Sequence, residues 1–105
     1  MELKIYWTEF SEKELQNIFE YHREKANYRI ARKLVEGIYN ETLKLKKHPE
    51  IGQIEELLQN RSQNFRYLVY KNYKIIYWIN NQKKWIEIND VFDTRQNPIK
   101  IIRTK

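Results

Sequence analysis

Residues Phe65–Pro98, FRYLVYKNYKIIYWINNQKKWIEINDVFDTRQNP, contain three runs rich in Tyr, Ile, Val and Trp, separated by polar breaks at residues 71–72 and 80–84. β-Branched and aromatic residues favour strands, and breaks this short allow only antiparallel pairing between neighbours. The stretch therefore predicts a three-stranded meander, in which Asn89-Asp90 interrupts the apolar alternation and indicates a bulge or an early turn. The predicted strands are Phe65–Tyr70, Tyr73–Ile79 and Trp85–Phe92.

A first strand and a first helix are predicted ahead of the meander. Leu3–Thr8 has the β-branched and aromatic content of a short strand. Ser11 followed by Glu14 forms an S-x-x-E capping box, in which both side chains satisfy free amides at a helix start. We therefore expect a first helix over residues 12–25.

A second helix is predicted over residues 28–47. Asn27 can cap its start, and Pro49 cannot continue a helix, so the helix ends near Lys47. Gly37 inside this helix costs roughly 1 kcal/mol relative to alanine and is expected to allow close packing. The following segment, residues 51–64, is predicted to be a connector with a helical turn at residues 54–58.

These elements predict an α+β fold with an N-terminal strand and a two-helix hairpin packed on one face of a mainly antiparallel sheet of about four strands. The tail after Pro98 has no helix signal. One set of side chains is expected to be buried together between the hairpin and the sheet. This set is Leu15, Ile18, Phe19, Leu34, Ile38, Leu45, Ile75 and Tyr77.

The chain has 105 residues, enough for a single domain over residues 1–105 with one modest core. It contains no cysteine, which excludes disulfides and thiolate metal sites and is typical of a reducing compartment. Its first residues, MELKIYWTEFSEKEL, carry charges every few positions and have no apolar run long enough for a signal peptide or a membrane span. We therefore expect a cytoplasmic protein.

The formal net charge of +6 is unevenly distributed. Residues 1–50 contain 10 Lys and Arg against 9 Asp and Glu, whereas residues 51–105 contain 10 against 5. The excess in the sheet half indicates an acidic partner, either nucleic acid or an acidic protein segment. The other interpretation is that the charge serves solubility alone.

Several chemistries are excluded by what the chain lacks. His22 and His48 are far apart, and no Asp, Glu and His cluster has the spacing of metal ligands, so no metal is expected. We interpret His22 as a core or boundary residue of the first helix. Gly37 and Gly52 are the only glycines, so no glycine-rich phosphate loop exists and no cofactor is expected.

Three cations in the sheet half are the candidate functional residues: Arg66, Lys74 and Arg95. Each comes from a different strand region, and neighbouring strands about 5 Å apart can bring them onto one surface. Such a cluster would bind phosphate or carboxylate groups. The competing interpretation is three unrelated solvated charges, since Lys and Arg are mostly surface residues.

The order strand, helix hairpin, strand meander resembles the RelE/ParE superfamily of bacterial toxins from type II toxin-antitoxin modules. The resemblance covers nearly the whole chain and is closest to the ParE-like branch, often called plasmid stabilisation proteins. The motifs that carry it are HPEIGQ (48–53), the Phe65-Arg66 strand opening, YKIIYWI (73–79) and VFDTRQNP (91–98).

The resemblance implies a cytoplasmic growth inhibitor that is neutralised by a cognate antitoxin. RelE-like members are ribosome-dependent, metal-independent endoribonucleases, whereas ParE-like members are known for inhibiting DNA gyrase. It also implies that Arg66, Lys74 and Arg95 bind the target, or are catalytic if the protein is a ribonuclease. The C-terminal tyrosine usual in RelE-like enzymes is missing, because QNPIKIIRTK follows Arg95.

RNA cleavage needs a proton acceptor and a proton donor, and arginine can only stabilise charge. We therefore favour a toxin that arrests growth by binding its target, as gyrase inhibitors do, over an enzyme. One alternative is a RelE-type endoribonuclease acting on ribosome-bound mRNA, and another is a non-toxic basic nucleic-acid-binding module. The assembly is left open between a homodimer and a toxin-antitoxin hetero-oligomer.

Overall fold

The computed structural model describes residues 2–105, which form one mixed sheet and a helix hairpin. In chain order the elements are β1 (Lys4–Trp7), α1 (Glu9–Lys25), α2 (Tyr28–Leu43), β2 (Gln53–Ile54), β3 (Arg66–Tyr70), β4 (Tyr73–Asn80) and β5 (Trp85–Asp93). Short 3₁₀ helices lie at Lys44–Lys46, Glu56–Leu58 and Pro98–Arg103. The predicted α+β class and the meander are confirmed.

The sheet has five strands in the order β1-β5-β4-β3-β2, rather than about four. β1 pairs with β5 in parallel, and the other pairs are antiparallel. The unpredicted strand, β2, is only two residues long and lies inside the segment interpreted as a connector. It carries no alternation of its own and is defined by its pairing with Tyr67 and Arg66 of β3.

The amino-terminal cap of α1 differs from the prediction. The helix begins at Glu9, because the side chain of Thr8 accepts a hydrogen bond from the Ser11 amide at 3.1 Å. Thr8 directly follows β1 and has an extended backbone, so it can cap the helix one turn before Ser11 can. Ser11 instead donates its hydroxyl to the Thr8 carbonyl, and Glu14 pairs with Arg103.

The start of α2 is as predicted, since the Asn27 side chain accepts a hydrogen bond from the Ile30 amide at 2.9 Å. The α-helix ends at Leu43, and the last predicted turn is the 3₁₀ helix Lys44–Lys46. Gly37 faces the side chain of Tyr70 so closely that a Cβ atom at position 37 would overlap the phenol ring. The expected close packing at Gly37 is confirmed.

The main core lies between the helix hairpin and one face of the sheet. Five of the eight residues expected there are buried: Leu34, Ile38, Leu45, Ile75 and Tyr77. Leu15 and Ile18 are only partly buried against this core, and Phe19 is partly exposed. The inward face of α1 is therefore less covered than that of α2.

A second, smaller core lies on the opposite face of the sheet. Its members are Leu58, Phe65, Ile76, Phe92 and Ile101. Ile101 belongs to the 3₁₀ helix Pro98–Arg103, so the expectation that the tail has no helix was wrong. The predicted irregularity in β5 is a bulge, because Ile76 pairs with Asp90 and Tyr77 with Ile88, which leaves Asn89 as the extra residue.

Candidate functional site

Arg66 is held by the loop that precedes the meander. Its guanidinium donates hydrogen bonds to the carbonyl oxygens of Glu50 and Gly52, at 3.2 and 2.9 Å. Both acceptors lie in the HPEIGQ segment. Arg66 therefore fixes this loop against the edge of the sheet.

Lys74 neutralises a buried carboxylate. Its ammonium group lies 3.1 and 3.2 Å from the two carboxylate oxygens of Glu55, whose side chain is only 3% exposed. The same ammonium lies 4.2 Å from the centre of the Tyr67 ring, a cation–π contact. A buried carboxylate without a partner is costly, so this contact gives Lys74 a structural function.

Arg95 is the most exposed of the three cations, with 61% of its side chain accessible. It lies in the turn after β5, where its guanidinium makes a two-pronged contact with the Asp93 carboxylate. These hydrogen bonds lower the pKa of Asp93 to about 2, against the smaller opposing effect of burial. The carboxylate in turn raises the pKa of Arg95.

The sheet register does not bring the three cations onto one surface. Arg66 is paired with Tyr77, which points toward the helix hairpin, whereas Lys74 is paired with Phe92, which points into the second core. Directly paired residues point to the same side of a sheet, so Arg66 and Lys74 lie on opposite faces. The expectation of one shared cationic surface is corrected.

The HPEIGQ motif has a clear structural basis. The Tyr77 hydroxyl donates to the Pro49 carbonyl at 2.7 Å and accepts from the Gly52 amide at 3.0 Å. A Cβ at position 52 would lie 2.5 Å from the Tyr77 hydroxyl oxygen. Burial raises the pKa of Tyr77, which keeps its hydroxyl protonated and able to donate.

His22 and Tyr73 form a contact that sequence reasoning missed. The Nε2 atom of His22 lies 2.9 Å from the Tyr73 hydroxyl, across 51 positions of sequence. Tyr73 also lines a cavity of about 280 Å³ together with Asp93 and Arg95. Burial, and then the Asp93 charge, raise the pKa of Tyr73, so this hydroxyl stays protonated at neutral pH. Only the position of His22 on the apolar side of α1 could have indicated the contact.

An apolar groove with a volume of about 770 Å³ lies between the helix hairpin and β1. We call it the β1 groove. It is lined by Ile5, Tyr6, Trp7, Glu12, Leu15, Gln16, Phe19, Glu20, Val35 and Tyr39. Among residues 2–105 no strand pairs with the outer edge of β1, and the Leu3 amide just before β1 donates to the Lys46 carbonyl at 3.3 Å. The Trp7 indole nitrogen is buried in the same part of the chain without a hydrogen-bond partner.

Residues 2–105 contain neither a metal-binding cluster nor a membrane-spanning helix. No group of three or more His, Cys, Asp or Glu residues there could hold a metal ion. No helix in this part of the chain is long and apolar enough to cross a membrane.

Comparison with solved structures shows what fold the chain shares. A solved structure described as the chromosomal ParDE TA system from P. aeruginosa matches with a TM-score of 0.72 and 16% sequence identity. The match covers 87% of this chain and 95% of that chain, and at this identity it shows a shared fold. No curated protein sequence matches the chain.

The family follows from the sequence itself. Residues 5–98 match the family described as the ParE toxin of type II toxin-antitoxin system, parDE. Because the match spans nearly the whole chain, this protein belongs to the ParE toxin family, within the RelE/ParE superfamily.

Proposed function

We propose that this chain is the toxin of a bacterial type II toxin-antitoxin system, which acts in the cytoplasm by binding an essential target. The family match over residues 5–98 carries this proposal. Gyrase-type inhibition is the favoured mode, because ParE-like toxins are known for it and the tail beyond Arg95 has no tyrosine or histidine. Such a toxin would serve plasmid stabilisation or a related form of growth control.

A cognate antitoxin is the partner that we propose for the β1 groove. An apolar groove beside an unpaired strand edge can accept a segment that adds a strand to β1 and places apolar side chains between the helices. The partly buried state of Leu15 and Phe19 supports this, because burying them fully would stabilise a complex. Co-expression with the neighbouring reading frame should protect cells and yield a complex on purification.

The target contact that we propose is Arg95, the exposed member of the three candidates. Arg66 and Lys74 would contribute through the loop and the buried carboxylate that they hold. Arg95→Ala should weaken growth arrest and gyrase inhibition while leaving the fold intact. Arg23→Ala is the matched control, because Arg23 is also an exposed arginine paired with a carboxylate, that of Glu20.

The ribonuclease remains a second candidate because of the contact between His22 and Tyr73. An imidazole and a protonated phenol beside a cavity that contains Arg95 are groups able to accept a proton, donate one and stabilise an anion. If the protein cleaves RNA, Tyr73→Phe should abolish cleavage without reducing ribosome binding.

One induction experiment separates the two mechanisms. After induction, plasmid supercoiling and the 5′ ends of cellular mRNA are measured in the same culture. Loss of supercoiling with intact mRNA supports gyrase-type inhibition. New codon-phased cuts in mRNA would contradict gyrase-type inhibition and support the ribonuclease. Continued growth with neither change would contradict toxicity and favour the non-toxic binding module.

A further inference from the structure

Two adjoining cavities form a basic surface between the first half of α2 and the β3–β4 turn. One, of about 290 Å³, is lined by His22, Ile30, Lys33, Leu34, Lys71 and Asn72. The other, of about 340 Å³, is lined by Tyr28, Arg29, Arg32, Lys33 and Glu36. Lys33 belongs to both linings, so the cavities are neighbours, and we call them together the α2 basic surface.

The charges of this surface are unbalanced. No carboxylate lines the first cavity, and the single one in the second, Glu36, already accepts a hydrogen bond from Arg32 at 3.3 Å. Within residues 2–105, Arg29, Lys33 and Lys71 have no carboxylate partner. The positive charge here is therefore available to an external anion.

This availability contrasts with three other cations of the sheet half. Lys74, Arg95 and Arg103 each contact at least one Asp or Glu carboxylate. An incoming anion at those positions would compete with an internal carboxylate, whereas at Lys33 and Lys71 it would not. The ammonium group of Lys71 lies 5.9 Å from the centre of the Tyr70 ring, a weaker contact than an ion pair.

The walls of the surface are fixed by contacts behind them. His22 is held by the Tyr73 hydroxyl at 2.9 Å, and the Asn72 amide donates to Asp93 at 3.1 Å. Lys71 occupies a left-handed turn position with φ of 52°, which sets the direction of its side chain. Groups that are already positioned lose less conformational entropy when they bind a ligand.

We propose that the α2 basic surface binds phosphate groups, either as free phosphate or within a phosphodiester backbone. Compact ammonium groups and a guanidinium suit the tetrahedral, multiply charged oxyanion. Each cavity has room for one such group together with water. This inference concerns residues outside the three candidate cations and does not depend on whether the protein is toxic.

The test is a nuclear magnetic resonance titration of the purified full chain at constant ionic strength. The probes are inorganic phosphate, a short oligothymidylate and a decaglutamate peptide. The peptide represents an acidic protein partner. Signals of His22, Lys33 and Lys71 should shift first. A response to phosphate alone assigns the site to free phosphate, and a tighter response to the oligonucleotide assigns it to phosphodiesters.

The variants include a closely matched control. Lys71→Asn should weaken binding several-fold, roughly the loss of one charge-assisted contact, and Lys84→Asn should not. Lys84 is also an exposed turn lysine with positive φ, 59°, and it follows the far end of β4, roughly 26 Å away. Asparagine tolerates the left-handed backbone at both positions.

A second variant, Lys33→Ala, lies on an exposed helical position and should weaken binding to a similar extent without a backbone effect. Equal loss with Lys84→Asn would show that only net charge matters and would overturn the site. Tighter binding of decaglutamate than of either phosphate probe would also overturn it, in favour of an acidic protein partner. If none of the three probes causes localised shifts, the proposed site is also overturned.

Discussion

The loop that precedes β2 is held to the sheet by hydrogen bonds of Arg66 and Tyr77, whereas β1, at the other end of the sheet, lies beside an apolar groove. Near β2, Arg66 donates to backbone carbonyl groups, and Lys74 neutralises the buried carboxylate of Glu55. Near β1, apolar side chains remain partly exposed. We therefore expect substitutions near β2 to change the stability of the fold, and substitutions near β1 to change the binding of a partner.

The largest effect is expected where the β2 side holds a buried charge. Lys74→Met should lower the free energy of unfolding by about 3 kcal/mol, because it leaves the Glu55 carboxylate buried without its partner. Urea denaturation measures the change. Lys83→Met removes an exposed, unpaired lysine and should have little effect.

Adding Glu55→Gln to Lys74→Met should restore part of the loss, since an amide is less costly to bury than a lone carboxylate. If Lys74→Met is as stable as Lys83→Met, the buried ion pair does not stabilise this edge.

A smaller loss of stability is expected in the loop that precedes β2. Gly52→Ala should cost about 2 kcal/mol, because the added methyl would overlap the fully buried Tyr77 side chain and the Tyr67 carbonyl. Thermal denaturation measures the change. Glu50→Ala is the neighbouring control, because the Glu50 side chain is exposed and its carbonyl group, which binds Arg66, is unchanged. A wild-type melting temperature for Gly52→Ala would mean that the loop is not tightly held.

At the β1 edge the effect should fall on binding rather than stability. Tyr39, 47% exposed in the β1 groove, packs against Trp7 with ring centres 6.3 Å apart. Tyr39→Ala should weaken antitoxin binding by about 1 to 2 kcal/mol, as truncation of an interface tyrosine does, with a smaller change in melting temperature. Tyr21→Ala is the control, since Tyr21 is 52% exposed but lies outside the groove. If calorimetry gives the same antitoxin affinity for both variants, the antitoxin does not bind in this groove.

The smallest effect concerns the pH dependence of the turn after β5. The pKa of Asp93 falls from its ordinary 3.8 to about 2 in the folded protein, so its contribution to stability is present above about pH 4 and is lost as the pH falls toward 2. Asp93→Asn should therefore be less stable than the wild type at neutral pH, and the difference should shrink between pH 4 and 2. Urea midpoints at a series of pH values test this. A difference that is constant with pH would mean that Arg95 does not stabilise the ionised carboxylate.

The elements that sequence reasoning located correctly have strong local signals. The meander strands are rich in β-branched and aromatic residues, and Asn27 is a side chain well suited to cap α2. The elements that it missed are defined by distant partners. β2 exists through pairing with β3, and the 3₁₀ helix Pro98–Arg103 is held by contacts of its buried Ile101 with the second core.

The candidate site shows the same limit. Residue type indicated that Arg66, Lys74 and Arg95 could bind anions, but the acceptors that occupy them lie 16, 19 and 2 positions away in the chain. Pairing register, and not composition, put Arg66 and Lys74 on opposite faces. To predict the contact of His22 with Tyr73, the position of the helix hairpin on the sheet must be known. Hydrophobic periodicity predicts which face of each helix packs on the sheet, but not this position.

The placement of the three tryptophans gives the chain an optical label for one of its surfaces. Trp7 lies in the β1 groove with its indole nitrogen unbonded, whereas the indoles of Trp78 and Trp85 both donate to Glu87 on the opposite face of the sheet. Indole emission depends on the polarity around the ring, so a segment that enters the groove should change the fluorescence of Trp7 directly, and that of Trp85 only through Tyr6, on which Trp85 stacks. A chain carrying Trp78→Phe and Trp85→Phe would then report antitoxin capture and release in real time, without any attached dye.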